Sequence, residues 1–525
     1  MSDLVTDQVL IDWFEDEYKK IDFITFKPAY ERVNRSSRLE TLIEKLRSGK
    51  ELVEHKQTLI DIWKDLVANA IIFLKSKDDR EYFHDDGDYG IEDLGKFFDS
   101  YCDFEKLLYG SGEFYRDHVL HVFRVFLLGE HLIRKHLVNE PTVGKNSSNG
   151  FKYLDVMDLK LKNESAKLDQ EIEESLTNLE EKEAKLEEEK GRYLVKPEEK
   201  EAMWCIVSLT HDLGYPTEVV HEIHDKLKNM LDVFNIQDVS YILSQQGQLF
   251  NDNIIKIISS DLELCKRSSS ENPDKYTTHS QAKYYLKYSR SIEKWDHGVE
   301  SCIVLVKTLV YFLETDFSLD KRRPMKIEDA RQFLIRQRIL RAIASHNCDF
   351  IYHLKLDLSF LLRIVDEMQE WNRPKLTDLF TKSPQAVLKI NKFERNIIDY
   401  IIQFNESSTD PDNEEKLHKN IKEYFYRKIK KFTMILRSAV DGEKRNSGQF
   451  VLVFNVIDSI SRSSHNQYKY TFTHKNPEDI KIKLQKHSKT DVPIELELLK
   501  DERWNDFKNE YFKDEEWTKK KSNTV

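Results

Sequence analysis

Between Phe114 and Leu137 the chain reads FYRDHVLHVFRVFLLGEHLIRKHL, a helical pattern so apolar that it belongs to the core of a larger helical assembly. His118, His121 and Val125 fall on one side of it, at i, i+3 and i+7, so polar groups point into that core. The wider composition agrees: 15 Gly and 11 Pro in 525 residues, with 39% hydrophobic and 33% charged residues, suit long helices joined by short loops. A chain this long exceeds the size at which one hydrophobic core stops growing. The expected fold class is mainly α: a helical bundle with an inserted charged helical arm and a small α+β C-terminal region.

Residues 1–110 form a helical region on this reading, with apolar positions such as Leu42, Ile43, Leu46, Leu59, Ile60, Ile62, Trp63 and Leu66 at helical spacing. HDDGDYG, residues 84–90, reads as a turn. The core is assigned to 111–157 and 192–375. It is interrupted at 158–191, where Lys and Glu alternate around Leu161, Leu168, Ile172, Leu179 and Leu186. That arm is a solvated helix or a short coiled coil, and its apolar seam offers an oligomer contact. Pro197, Glu198 and Glu199 open a helix that delivers His211 and Asp212 at its C-terminal end. Further helices are expected at 292–313, 327–345 and 356–371, with 265–280 as loop. Within 376–525, a helical and β-rich region, QFVLVFNVIDSI, YKYTFTHK and DVPIELELL read as strands.

A net charge of −11 provides no long-range field for nucleic-acid phosphates, so a small or metal-bridged anion is the easier ligand. Cys102, Cys205, Cys265, Cys302 and Cys348 lie far apart without a C-x-x-C pair, and read as reduced thiols rather than disulfides or zinc ligands. The acidic start lacks the pattern of a signal peptide, and no run of about 18 apolar residues follows it. A cytoplasmic protein without a membrane partner is expected.

Several apolar helical patterns each carry a residue that such a pattern has little reason to bury. These are His118 in RDHVLHV, His211 and Asp212 in THDLGYP, His297 in KWDHGVES, His346 in IASHNCD and Asp366 in LLRIVDEMQEWNR. An unpaired polar group inside costs about 1–3 kcal/mol, so these six side chains point to one shared polar centre. Imidazoles and carboxylates suit a divalent metal: Mn²⁺, Mg²⁺, Fe²⁺, Co²⁺ or Zn²⁺, as one or two ions. His121, His131, His136 and His353 are read instead as hydrogen-bonded core residues. Arg116, Arg363 and Arg373 are candidates for holding phosphate oxygens, as is Tyr215 for contacting substrate. His221 and His224 are candidates for protonating a leaving oxygen beside the catalytic Asp212.

The ordered set His118, His211-Asp212 and Asp366 resembles the HD superfamily of metal-dependent phosphohydrolases, over about half of the chain from Phe114 to Arg373. The resemblance implies a helical bundle in which these four residues hold a divalent ion. His297 and His346 stand in the order of the extra histidines of binuclear members, where Asp212 would bridge two ions. HDLGYP and RDHVLHVFRVFLLG are most similar to the deoxynucleoside triphosphate triphosphohydrolase branch, although Tyr215 stands where many of its members carry a further His. A nucleotide substrate, a homo-oligomer, a nucleotide effector and a nucleotide-depleting role in antiviral defence are the corresponding expectations. Cleavage of a cyclic mono- or dinucleotide is the alternative, a nuclease a weaker third, and a non-catalytic nucleotide-sensing module a reading from another class.

Overall fold

A computed structural model describes residues 3–26, 56–76, 90–108, 118–138, 195, 197–232, 248–264, 276–314, 317–320, 322–348, 358–371, 385–394 and 397–405. It also describes short stretches between 419 and 432, and residues 451–459, 465–473, 481–487 and 494–497. The arm at 158–191, the 84–89 part of the HDDGDYG segment, Arg116, Arg373, His353 and Cys265 lie outside the described residues.

The chain begins with a short strand, β1 (Asp3–Val5), followed by helix α1 (Asp7–Glu17) and α2 (Asp22–Thr25). Thr6 caps α1 by accepting the backbone N–H of Val9 at 3.3 Å, and Asp7 complements its N-terminal dipole. Leu10, Ile11 and Phe14 then form its buried stripe. Next come α3 (Lys56–Ser76), α4 (Ile91–Leu108), α5 (His118–Val138), α6 (Pro197–Thr210), α7 (Tyr215–Asp232) and α8 (Gln248–Ser259). A hairpin, β2 (Ser260–Leu264) with β3 (Tyr276–Ser280), precedes α9 (Ala282–Glu293), α10 (His297–Thr308), α11 (Val310–Leu313), α12 (Ile327–His346) and α13 (Leu358–Met368).

The described residues are mainly helical, with a sheet toward the C-terminus. Two expectations change in detail. The stretch expected as one helix at 292–313 is broken, because Trp295 takes a positive φ of 61° and starts α10 afresh at His297. Part of the expected loop at 265–280 is strand β3, its backbone paired residue by residue with β2.

The sheet contains β1, β4 (Gln385–Glu394), β5 (Ile397–Asn405), β6 (Val451–Ser459), β7 (His465–Thr473), β8 (Lys481–His487) and β9 (Ile494–Glu497), in that spatial order. Every neighbouring pair is antiparallel except β5 with β6, whose parallel register demands the long connection 406–450. Since β1 pairs with β4, the N-terminal segment is part of the C-terminal sheet, and the region read as purely helical is not so at its start.

Nor do the regions inferred from sequence have separate cores. One buried apolar cluster runs from Leu10 and Trp63 through Phe126, Trp204 and Ile339 to Leu388, Tyr400 and Phe454. Within it α6 packs against α3, α5, α12 and α13, which makes it the central helix. Polar ties reinforce this. Arg124 of α5 grips both oxygens of Asp7 at 2.8 and 2.7 Å, and the Trp371 indole N–H donates to the same carboxylate at 2.7 Å. Cys102, Cys205, Cys302 and Cys348 are buried free thiols. No described helix is long and apolar enough to cross a membrane.

A buried charge cluster docks the C-terminal region on the last residues of α13. Lys428 pairs with Glu367 and, at 2.6 Å, with Glu370, while Lys431 reaches Glu367 at 2.6 Å. Burial works against the Glu367 carboxylate, yet Lys428 and Lys431 outweigh it and hold its pKa at about 2. A depressed carboxylate pKa stabilises the fold above the ordinary Glu range, and that contribution is lost as pH falls toward about 2. Glu367→Gln removes it. Urea unfolding at pH 7 and pH 3 should show the variant losing less stability over that interval than the parent; equal losses would contradict the assignment.

Candidate metal centre

The α6 helix ends in the turn His211–Gly214, and the chain restarts as α7 at Tyr215. This turn presses against the start of α10. A Cβ on Gly214 would lie 2.3 Å from the His297 carbonyl oxygen and 2.7 Å from the Ser301 nitrogen, so only glycine allows the approach. The Ser301 hydroxyl fixes the contact: it accepts the Gly214 N–H at 2.8 Å and lies 2.6 Å from the His211 carbonyl and 2.8 Å from that of His297. From the other side the Trp63 indole donates to the Leu209 carbonyl at 2.7 Å, bracing the last turn of α6.

Asp212 is the hub of the site. Its Oδ2 faces His211 Nε2 at 3.4 Å and His121 Nε2 at 3.7 Å. Its Oδ1 faces His297 Nε2 and His346 Nε2, each at 3.3 Å. The ligand atoms of His121, His211 and Asp212 all lie within 4.8 Å of one another, as do those of Asp212, His297 and His346. Asp366, from α13, stands beside the first group through a contact with His121, its Oδ1 2.9 Å from Nε2.

The opposite ring nitrogens define which atoms face the centre. His211 Nδ1 lies 2.8 Å from the Ser208 carbonyl and His346 Nδ1 2.6 Å from that of Ile343. His297 Nδ1 is bonded to the Glu218 carboxylate. His121 Nδ1 lies 2.5 Å from Gln369 Oε1, an amide whose orientation is set because its NH₂ donates to the Trp371 carbonyl at 2.8 Å. A carbonyl or carboxylate oxygen can only accept, so the Nδ1 atoms of His121, His211 and His346 carry a proton and their Nε2 atoms face Asp212, while His297 Nδ1 lies between the Glu218 carboxylate and, at 2.9 Å, Asn347 Nδ2.

Ring nitrogens and carboxylate oxygens so arranged could hold a cation among them. His297 Nε2 and His346 Nε2 are only 3.0 Å apart. His211 Nε2 is buried and has no hydrogen-bond partner among the described residues, an arrangement that a bound ion satisfies. The donor set is imidazole nitrogen with carboxylate oxygen, which suits Zn²⁺, Mn²⁺ or Fe²⁺. His121, His211 and Asp212 could hold one ion, and Asp212, His297 and His346 a second.

The charges are set by the same neighbours. Burial opposes ionisation of Asp212, but His211 and then the hydrogen bonds with His297 and His346 hold its pKa well below the usual carboxylate range. For His297 burial again opposes the charge, and contacts with Asp212 and Glu218 overcome it, raising the pKa to about 10. Burial dominates at His346 and pushes its pKa down. The site therefore already favours one extra positive charge at its His297 side.

His118 is not in either group, and His121 stands in the first group in its place. His118 is the first residue of α5. Its backbone N–H donates to Glu105 Oε1 at 2.6 Å, its Nδ1 lies 3.3 Å from the same oxygen, and its ring packs on Tyr215 at 3.8 Å. The sequence carried a signal for the deeper residue: His121 is flanked by Val and Leu on one side and Val and Phe on the other, whereas Arg116 and Asp117 lead into His118. Asp366 in the last turn of α13 and Gln369 just beyond its end are the partners of His121.

Arg363 is also reassigned. It is buried, and donates to the carbonyls of Ser345, through Nε at 2.9 Å, and of Cys348 at 3.0 Å. Those bonds satisfy orphan carbonyls at the end of α12 and fix His346, so this Arg positions a ligand rather than gripping phosphate. Tyr215 is half-buried between the rings of His118 and His297, at 3.8 and 6.0 Å, on the rim of the centre. His221 stacks on Trp295 at 5.4 Å, and His224 follows one turn along α7; neither belongs to the two ligand groups. Glu218 was not foreseen, since an acidic residue in a first turn normally reads as a helix-dipole partner.

Access is one-sided. His121 and His211 side chains have 0% exposure, whereas Asp366 keeps 23% and His297 16%, so the centre is open to solvent on its Asp366 and His297 side. In comparisons with known proteins, no family model, curated relative or solved structure matches the chain.

Proposed function

We propose that the protein is a metal-dependent phosphohydrolase of the HD type acting on a nucleotide, with a deoxynucleoside triphosphate as the preferred substrate class. The observation that carries this reading is the convergence of His121, His211, His297 and His346, each by Nε2, on the two oxygens of one buried aspartate. Divalent ions held there would supply Lewis acidity toward a phosphoryl oxygen and lower the pKa of water at neutral pH.

The chain's own groups do the rest. His121 and His211 are locked by Gln369 and the Ser208 carbonyl, so their ligand atoms are pre-set and binding costs little reorganisation. Burial of these rings excludes bulk water from one side of the centre, while Asp366 stays open to the cleft. The half-buried ring of Tyr215 offers a flat surface at the rim for a base or sugar.

The two-sided use of Asp212 favours one further reading, cleavage of a cyclic mono- or dinucleotide, because paired ions stabilise both the attacking and the leaving oxygen of a phosphodiester. Incubating the purified full chain with Mn²⁺ and each substrate class, then separating products, distinguishes the two. Nucleoside with tripolyphosphate is the expected outcome. A linear nucleotide from a cyclic substrate would transfer the assignment to the second reading. Metal-loaded protein that binds nucleotide without turnover would overturn both and leave a nucleotide-sensing module.

A further inference from the structure

We infer that Glu218 is the positioning residue that creates the second ion site, by holding His297 in the one tautomer and orientation that turns Nε2 toward Asp212. This rests on the metal reading proposed above and adds a residue that the ligand pattern does not contain.

Glu218 lies in the first turn of α7, and His297 opens α10 far along the chain. One carboxylate oxygen of Glu218 receives two N–H groups of His297, the ring Nδ1–H and, at 3.0 Å, the backbone N–H, while Asn347 Nδ2 lies 2.9 Å from the same Nδ1. That backbone donor is one of the orphan N–H groups of a helix start, and Asp296 at the N-cap makes no side-chain bond to satisfy any of them. Glu218 thus caps α10 from another helix and fixes the ring in the same contact. Burial works against the charged Glu218 carboxylate, yet the His297 contacts keep its pKa below the ordinary Glu value.

The consequence falls on one side of the centre. His211 and His121 take their Nδ1 bonds from the Ser208 carbonyl and Gln369, neither of which involves Glu218. His346 takes its own from the Ile343 carbonyl. Removing Glu218 leaves the Asn347 amide nitrogen as the group at His297 Nδ1, which favours the proton on Nε2, or lets the ring rotate, and either change withdraws a ligand nitrogen from the Asp212 Oδ1 side alone.

The test is Mn²⁺ stoichiometry and electron paramagnetic resonance on the full chain and on Glu218→Ala and Glu218→Gln. Wild type should hold two Mn²⁺ with an exchange-coupled spectrum. Glu218→Ala should keep the first ion at unchanged affinity, show the six-line spectrum of an isolated ion, and bind the second about 10–100-fold more weakly. Glu218→Gln retains an acceptor oxygen for α10 and keeps the comparison open if the Ala variant does not fold; it should weaken the second ion alone, by about 10-fold. Two coupled ions at wild-type affinity in the variants would overturn the role of Glu218, as would equal loss of both ions from a folded variant or a single ion in wild type. Wild-type protein that takes up no Mn²⁺ would instead overturn the metal reading itself.

Discussion

Asp212→Asn should cut turnover of the proposed hydrolase by about 10³-fold, since it removes the group shared by both ion sites and ions of this kind supply several kcal/mol of transition-state stabilisation. The substitution is nearly isosteric. It replaces a carboxylate whose two oxygens serve His211 and His121 on one side and His297 and His346 on the other. An amide keeps one oxygen, turns the other position into an NH₂ donor, and carries no charge to offset a dication. Bound Mn²⁺ should therefore fall from two ions per chain toward none. The apo form should also lose stability, because the His neighbours outweigh burial at this carboxylate and the neutral amide forgoes that stabilisation. Thermal denaturation separates the two effects: in chelator the variant should melt below the parent, whereas adding Mn²⁺ at about 100 times its Kd should stabilise the parent further, by about 2.7 kcal/mol, and the variant hardly at all. Retention of metal and of turnover by Asp212→Asn would remove the basis for the proposed function.

Much of this centre was legible because its ligands interrupt otherwise apolar helices, and a buried ionisable group without a partner is too costly to be accidental. That logic singled out His211, Asp212, His297 and His346, which the fold brings together, and Asp366, whose carboxylate reaches His121. It chose His118 over His121 because helical periodicity places i and i+3 on one side and does not say which of them meets the neighbouring elements: His121 reaches Asp212 and Asp366. Glu218 was out of reach for another reason. Its partner comes from α10, and pairing across such a separation is a property of the packed molecule rather than of any local pattern. Arg363 shows the converse, an Arg near a ligand in sequence whose guanidinium is committed to the carbonyls that end α12. At the level of fold, the apolar helices and the β-rich texture beyond residue 448 were readable, while β1 was not. Three residues carry no periodicity, and their strand character exists only through pairing with β4.

Gly129→Ala should unfold the molecule several degrees earlier, although intrinsic helix propensity predicts the reverse. Gly129 lies in the interior of α5, where alanine is favoured by about 1 kcal/mol. A Cβ there would stand 2.0 Å from Trp204 Cζ2 and 2.4 Å from Cε2, distances that require movement. Trp204 cannot move cheaply: it is fully buried on α6, and its indole N–H donates to the Phe126 carbonyl at 3.2 Å, one turn before the glycine. Overpacking of this kind costs about 3 kcal/mol, so the net effect is a loss of about 2 kcal/mol, which favours packing over propensity. The site should also respond, because α5 and α6 bring His121 and His211 to the same centre, and spreading their crossing separates ligands that must stay within bonding reach of one ion. Trp204→Phe in the Gly129→Ala background makes room for the added methyl and should recover part of both losses, giving a favourable coupling in a double-mutant cycle. Melting temperatures and Mn²⁺ affinities of the four proteins measure it; an unchanged or raised melting temperature for Gly129→Ala would mean that α5 and α6 do not cross at this glycine.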